Sequence, residues 1–200
     1  MPPEINTERR SQIVERLMAA VGRLLESGES YTELSVERLV TEAGLSRSTF
    51  YVYFEDKGEL LRALSEGLVA QLALAASQWW DQPPGASRDE IRGAMGGIVD
   101  TYRPRQVLMT AVVEASSYDA RVREEFGAML GAIVGGLAEH IRRGQAHGSI
   151  NAELDPAGTA GWLVWMTERG LYNLIRHGDD AEVERYTDAL TTIVWNTLYA

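Results

Sequence analysis

The stretch SVERLVTEAGLSRSTFYVYFEDK, residues 35–57, decides the reading of this chain. Ser35 stands where a helix begins, and its hydroxyl can accept from a free backbone N–H of the first turn. Val36, Leu39 and Val40 follow on one face. Gly44 falls where the chain leaves that helix, a position that favours positive φ. Leu45 can pack across the turn, and Ser46 is a second N-cap. Phe50 and Phe54 are four residues apart, so they share a face and point into a small core. The opposite side carries Arg47, Ser48, Thr49, Tyr51 and Tyr53. An apolar side that anchors the second helix and a polar, aromatic side that faces outward are what a DNA recognition helix needs. A plain helical hairpin with exposed tyrosines is the alternative; two caps, the turn glycine and the helix lengths agree with a helix-turn-helix.

The charge balance pulls the other way. The 200 residues carry a net charge of -10. Residues 1–57 hold seven basic groups (Arg9, Arg10, Arg16, Arg23, Arg38, Arg47, Lys57) against ten acidic ones, so even the reading head is net -3. Attraction to phosphate dominates non-specific affinity for DNA. The head is therefore expected to bind non-specific DNA weakly, with Arg9, Arg10 and Arg47 facing the duplex. With no cysteine there is neither a disulfide framework nor thiolate chemistry. The first residues, MPPEINTERRSQ, contain no hydrophobic signal region. The longest apolar run, Phe126 to Ala138, is bounded by glutamates and too short to span a bilayer. A soluble cytoplasmic protein without a membrane partner is expected.

Outward from the motif, the apolar spacing predicts an all-α chain of nine helices and no strand. The first runs from about Asn6 to Ser27, with Ile13, Leu17, Val21 and Leu24 on one stripe. The reading pair follows at Ser35 to Thr41 and Ser46 to Val52. A long fourth helix, Asp56 to Asp81, carries Leu60, Leu61, Leu64, Leu68 and Leu72. Pro83-Pro84-Gly85 breaks the chain. The fifth helix spans Ser87 to Tyr102, Pro104 opens the sixth, the seventh runs Asp119 to Ala146, and the last two span Asp155 to His177 and Asp179 to Tyr199. Gly127, Gly131 and Gly135 recur every four residues on the seventh helix, which reads as a close helix crossing, with room for a ligand as the other option. The organisation is a helix-turn-helix domain, residues 1–56, and a helical ligand-binding and dimerisation domain, residues 57–200.

The last two helices are apolar over more than one face, through Trp162, Leu163, Val164, Trp165, Met166, Leu171 and Leu174 and then Tyr186, Leu190, Ile193, Val194, Trp195 and Leu198. Such helices bury a second surface. A homodimer through these helices follows, with two-fold symmetry suited to a palindromic site. Five tryptophans beyond residue 78, with Met95, Met109, Met129 and Met166, suit an apolar cavity as well as a plain core.

Catalysis has little support, and no cofactor is called for. His140, His147 and His177 lack metal-ligand spacing, and no P-loop or dinucleotide fingerprint occurs. Glu168-Arg169, inside an apolar helix, reads as a structural ion pair or as a ligand contact.

On these residues the chain resembles the TetR family of bacterial transcriptional regulators. The likeness lies in Ala43-Gly44-Leu45-Ser46, Ser48-Thr49-Phe50-Tyr51, Tyr53-Phe54 and Lys57-Gly58-Glu59-Leu60-Leu61. The final third is similar to the EthR-like branch through Trp165-Met166-Thr167-Glu168-Arg169, Leu171-Tyr172 and Trp195-Asn196-Thr197-Leu198-Tyr199. The resemblance implies Arg47 at a base edge, Ser48 and Thr49 on phosphate or a thymine methyl, Tyr51 on phosphate and Tyr53 near the backbone or a base. It also implies backbone contacts from Ser35 and Lys57. Glu37 departs from the basic residue some relatives have. For the body it implies an apolar effector site lined by Ile98, Tyr102, Phe126, Leu130, Ile133, Thr167, Leu171 and Trp195, with Tyr102 and Thr167 as polar anchors. The function implied is a repressor released from a palindromic double-stranded DNA operator by an apolar small molecule. A helical metabolite-binding or scaffold protein with weak or no DNA binding is the alternative.

Overall fold

A computed structural model describes residues 7–80 and 85–199, without the side chains of Thr7, Leu68 and Val69. Asn6, Asp81, Pro83, Pro84 and the Leu68 side chain, all invoked above, lie outside the described residues. The chain is all-helical: α1 Thr7–Glu26, α2 Val36–Ala43, α3 Arg47–Tyr53, α4 Lys57–Trp80, α5 Arg88–Tyr102, α6 Gln106–Ala115, α7 Ala120–His147, α8 Pro156–Gly170 and α9 Asp180–Leu198. No strand occurs among the described residues.

Local signals account for most of the boundaries. Ser35, Ser46, Ser87, Asp155 and Asp179 each cap a helix with a side-chain oxygen. At Ser87 and Asp179 a glutamate three residues on returns the bond to the cap's own N–H, which completes a capping box. Two expectations need correction. Pro104 does not open a helix; it sits in a 3-10 turn, Arg103–Arg105, and α6 begins at Gln106. Its ring fixes φ and removes a donor, which suits a tight turn between helices as well as a first turn. The eighth helix also does not run evenly to His177: regular α-helix ends at Gly170 and Leu171–Ile175 forms a π-helical turn.

The chain packs as two compact units. The first takes the described residues through Leu68 together with Val107–Phe126. Its core is built from Leu17, Leu24, Tyr31, Leu39, Phe50, Phe54, Leu60 and Leu61, all essentially without solvent contact. By packing, the first half of α4, all but the first residue of α6 and the start of α7 go with the reading motif. Within this unit Thr32 Oγ1 lies 3.3 Å from the Tyr118 hydroxyl and Arg62 Nε lies 3.6 Å from Glu125 Oε1.

The second unit takes Val69–Gln106 and the chain from Gly127 onward. Ile91, Met95, Leu137, Ile141, Ala160, Val194 and Leu198 form its interior. Buried His140 bridges the Trp80 carbonyl at 3.1 Å and the Tyr199 hydroxyl at 2.8 Å. Trp79 Nε1 donates to the same hydroxyl at 3.2 Å. The glycine stripe of α7 is not a close crossing: a Cβ built on Gly127, Gly131 or Gly135 meets nothing within 4 Å. The tight glycines of this helix are Gly144, whose Cβ would stand 2.5 Å from Ile150 Cδ1, and Gly136, whose Cβ would stand 3.1 Å from the Trp80 ring.

By length and composition α4 is apolar enough to cross a bilayer. Its leucines 60, 61, 64 and 72 are instead buried within the fold. A core helix of 24 residues explains that composition.

Candidate nucleic-acid interface and helical body

The turn between α2 and α3 is built as its residues dictate. Ser35 Oγ accepts from Arg38 N at 3.1 Å. Gly44 ends α2 at φ 63°, ψ 37°, and its N–H and that of Leu45 close on the carbonyls of Thr41 and Val40. A Cβ at Gly44 would be strained by this φ and would also stand 3.1 Å from Arg16 Nη2. That guanidinium donates to the carbonyls of Ala43 and Gly44 at 2.9 and 2.7 Å, which fixes the turn against α1. Ser46 is the hub of α3: its Oγ accepts from Thr49 N at 3.0 Å and lies 2.8 Å from the hydroxyls of both Ser48 and Thr49.

Phe50 and Phe54 pin α3 inward, ring centroids 5.5 Å apart. Outward, Arg47, Ser48 and Tyr51 are exposed, and Thr49 and Tyr53 are half-buried. Val52 joins them at 62 % exposure. Val52 stands four residues from Ser48 and so on the same face, a position its apolar side chain does not announce in the sequence. An exposed methyl pair beside Ser48 and Tyr51 suits contact with a thymine methyl.

The charges of the head divide into two groups. Arg23 Nε donates to Glu42 Oε1 at 2.7 Å, and Arg38 lies 3.0 Å from Glu29 and 3.7 Å from Glu42. The hydrogen bond from Arg23 holds the Glu42 carboxyl below its ordinary value. Together with Arg16, these cations hold the head together. Arg9, Arg10 and Arg47 are exposed and make no ion pair among the described residues.

Lys57, expected on phosphate, is engaged within the head. Its Nζ donates to the carbonyls of Tyr31, Thr32 and Leu34. In return the Tyr31 hydroxyl, buried in the core, donates to the Lys57 carbonyl at 2.5 Å. Partial burial lowers the Lys57 ammonium from its ordinary value. The ammonium's three donors are thus engaged in tying the loop before α2 to the start of α4. Nothing in the spacing of the sequence marks Tyr31 as the other half of this clasp.

In the second unit, the outward faces of α8 and α9 carry Trp162 at 80 % exposure and Trp165, Leu174 and Ile193 at 45–46 %. The core side of α9 is Val183, Thr187, Thr191, Val194 and Leu198. The two threonines are admitted because each hydroxyl donates to the carbonyl four residues back, at 2.8 Å. Between α5, α8 with its π turn, and α9 lies a cleft of about 130 Å³, lined by Val99, Thr167, Leu171, Leu174, Leu190 and Ile193 among others. Of the expected effector residues, Thr167 and Leu171 reach this cleft. Ile98 and Tyr102 are buried on α5 beside and one turn from Val99, and Leu130 is buried on α7. Ile133 and Trp195 are half-buried, and Trp195 stacks on Tyr199 at 5.2 Å. Phe126 is buried and belongs to the first unit. The Tyr102 hydroxyl and Glu168 Oε2 are buried with no hydrogen-bond partner. Burial pushes the Tyr102 phenol up to about 12 and raises the Glu168 carboxyl.

A capped helix-turn-helix whose second helix presents an unpaired arginine, joined to a wholly helical body, defines a DNA-binding transcriptional regulator rather than an enzyme. The chain belongs to the bacterial regulatory proteins of the tetR family, whose profile matches residues 23–64, and within it to the EthR-like regulators, whose C-terminal domain profile matches residues 91–200. It is 23% identical over 184 residues to the HTH-type transcriptional regulator EthR of Mycolicibacterium smegmatis, covering 92% of this chain and 84% of that one. To EthR of Mycobacterium tuberculosis it is 26% identical over 157 residues, covering 78% and 72%. Among solved structures, a TetR transcription regulator from Haloarcula marismortui superposes with a TM-score of 0.74 at 18% identity, covering 94% of this chain and 99% of the other. A transcriptional regulator from Saccharomonospora viridis, solved in complex with choline, does so with a TM-score of 0.73 at 16% identity, covering 98% and 100%.

Proposed function

We propose that this protein is a homodimeric repressor, acting in the cytoplasm, that an apolar small molecule releases from a palindromic operator. The observation that carries the DNA-reading half is the outward face of α3, where Arg47 starts the helix without an ion-pair partner and Ser48, Tyr51 and Val52 continue its surface. Arg47 reads a base edge, for which a guanidinium offers bidentate donors to guanine. Ser48, Thr49, Tyr51 and Tyr53 set the register on phosphate, sugar or thymine methyl, and Ser35 adds a hydroxyl at the start of α2. Lys57 ties the loop before α2 to the start of α4.

The dimer forms through the outward faces of α8 and α9, where two tryptophans, Leu174 and Ile193 stand in water in a single copy. Large aromatic side chains of this kind dominate interface energetics. Two heads so joined meet two half-sites about one helical turn apart. The effector occupies the apolar body at Ile98, Tyr102, Leu130, Ile133, Thr167, Leu171 and Trp195, all of the second unit, while Phe126 falls in the first. The S. viridis protein of the same fold, which holds choline, is consistent with a ligand in such a body. An effector that favours the non-binding arrangement of the heads lowers operator affinity by its own differential affinity and no more.

The test is fluorescence anisotropy on DNA from upstream of the protein's own gene. Arg47→Ala is expected to weaken binding by about 1–3 kcal/mol and to relax preference at one base pair. Equal affinity for scrambled and upstream DNA in the parent protein would overturn the reading.

A further inference from the structure

Three features of the second unit involve α5, α8 and the π turn that follows α8. The Tyr102 hydroxyl and Glu168 Oε2 are both buried, with residue exposures of 2% and 8%, and neither has a hydrogen-bond partner. They lie near enough to one another to interact electrostatically, together with Tyr172 and Arg176. Buried polar atoms are paired in the great majority of cases, and two orphans in one unit ask for an explanation. The third feature is the backbone. Directly after Glu168-Arg169-Gly170 the helix opens into the π turn Leu171–Ile175, a distortion common at functional sites. The cleft lined by Val99, Leu171 and Ile175 begins one helical turn from Tyr102 on α5 and from Glu168 on α8.

The charge around the pair selects the kind of ligand. Arg169 Nε lies 3.3 Å from Glu168 Oε2, which compensates the charge without completing a hydrogen bond. The guanidiniums of Arg169 and Arg176 stand 6.0 and 5.5 Å from the Tyr172 ring centre. With two cations already present, a third gains little from one carboxylate. What is missing is hydrogen bonding. Glu168 Oε2 lacks a donor to accept from, and the Tyr102 O–H lacks an acceptor.

We infer that the effector of this protein carries a neutral head that donates and accepts at once, a carboxamide or its like, joined to a short apolar body. Its N–H donates to Glu168 Oε2, its carbonyl accepts from the Tyr102 hydroxyl, and its apolar part lies along Val99, Leu171 and Ile175. This rests on the reading that the body takes an apolar effector, and it adds the chemistry of the head.

Three probes share one skeleton: 3-phenylpropanamide, propylbenzene and 3-phenylpropan-1-amine, titrated calorimetrically into the full-length protein. The amide is expected to bind at least tenfold more tightly than the hydrocarbon and the amine. Tyr102→Phe and Glu168→Met each remove an orphaned polar group, so both variants are expected to fold at least as stably as the parent. Each should reduce the amide to hydrocarbon affinity while leaving propylbenzene unchanged. Amide and hydrocarbon binding equally, or both variants keeping the amide preference, would overturn the assigned head. Tightest binding by the amine would replace it with a cationic one. If no probe binds, propylbenzene included, the apolar effector site itself fails.

Discussion

Glu42 in the first unit and Glu168 in the second both stand beside arginines, yet they end in opposite states. Glu42 is part-exposed, accepts from Arg23 at 2.7 Å and is held below its ordinary value. Glu168 is buried, meets Arg169 at 3.3 Å without a hydrogen bond, and is pushed above it. The difference extends to the surrounding regions. In the head, Arg16, Arg23, Arg38 and Lys57 each meet a carbonyl or carboxylate, and Tyr31 completes the clasp. The head is finished as a protein and leaves its unused donors outside, on α3. The body leaves the Tyr102 hydroxyl and Glu168 Oε2 unused inside. A rigid reader of DNA gains from the first arrangement, and a receptor that waits for a ligand gains from the second.

The largest break of this contrast falls in the head's core. Phe50 is fully buried and stacks obliquely on Phe54. Phe50→Ala is expected to cost about 3–5 kcal/mol of stability, read by chemical denaturation. Next comes the outward face of the body. Trp162→Glu combined with Trp165→Glu is expected to convert the proposed dimer to monomer in sedimentation experiments, with about 2–4 kcal/mol lost for each side chain that acts as a hot spot. A dimer that survives would place the second copy elsewhere.

Lys57 sharpens the contrast within the head. Lys57→Ala frees three carbonyls and is expected to cost about 1–2 kcal/mol of stability. If its donors are committed internally, the salt dependence of operator binding keeps its slope. Arg9→Ala or Arg10→Ala, by comparison, should lower that slope by about 1 for each phosphate contact removed. A lowered slope in Lys57→Ala would restore the phosphate role implied by the sequence.

Much of this architecture was legible in the chain. The caps at Ser35 and Ser46, the helix starts at Ser87, Asp155 and Asp179, the left-handed Gly44 and the Phe50–Phe54 pair are local features, fixed by neighbours within a few residues. What escaped depends on contacts far apart in sequence. Tyr31 and Lys57 meet across 26 residues, and Thr32 and Tyr118 across 86. Nor does periodicity tell which apolar stripe of α9 faces inward. Tyr186, Leu190 and Ile193 look like core, yet the inner side carries Thr187 and Thr191, whose hydroxyls are silenced by their own helix. Tyr102 and Glu168 could be named from sequence as a polar anchor and an ambiguous ion pair. That both lack partners depends on how α5 packs on α9 and the π turn, which the sequence does not show.

The smallest effect bears most directly on the comparison. Burial raises the folded-state pKa of Glu168, while in the unfolded chain the carboxyl keeps its ordinary value of 4.5. Below pH 4.5 both states hold the proton, and ionisation of this group costs the fold nothing. As pH rises past that value the unfolded chain releases its proton first, and the folded protein keeps its own until the raised pKa is reached. Stability from this group is therefore lost across that window and stays lost above it. Glu42 has the opposite sign, because its depressed pKa makes stability fall as the solution is acidified. Glu168→Met removes one proton site and no hydrogen bond. It is expected to gain about 1 kcal/mol at neutral pH and to gain nothing below pH 4.5. Denaturation of parent and variant at a series of pH values isolates the difference, since Glu42 and the other carboxylates titrate alike in both. A gain that is the same at every pH would reflect better apolar packing by Met alone, and the contrast with Glu42 would then be one of burial and not of charge.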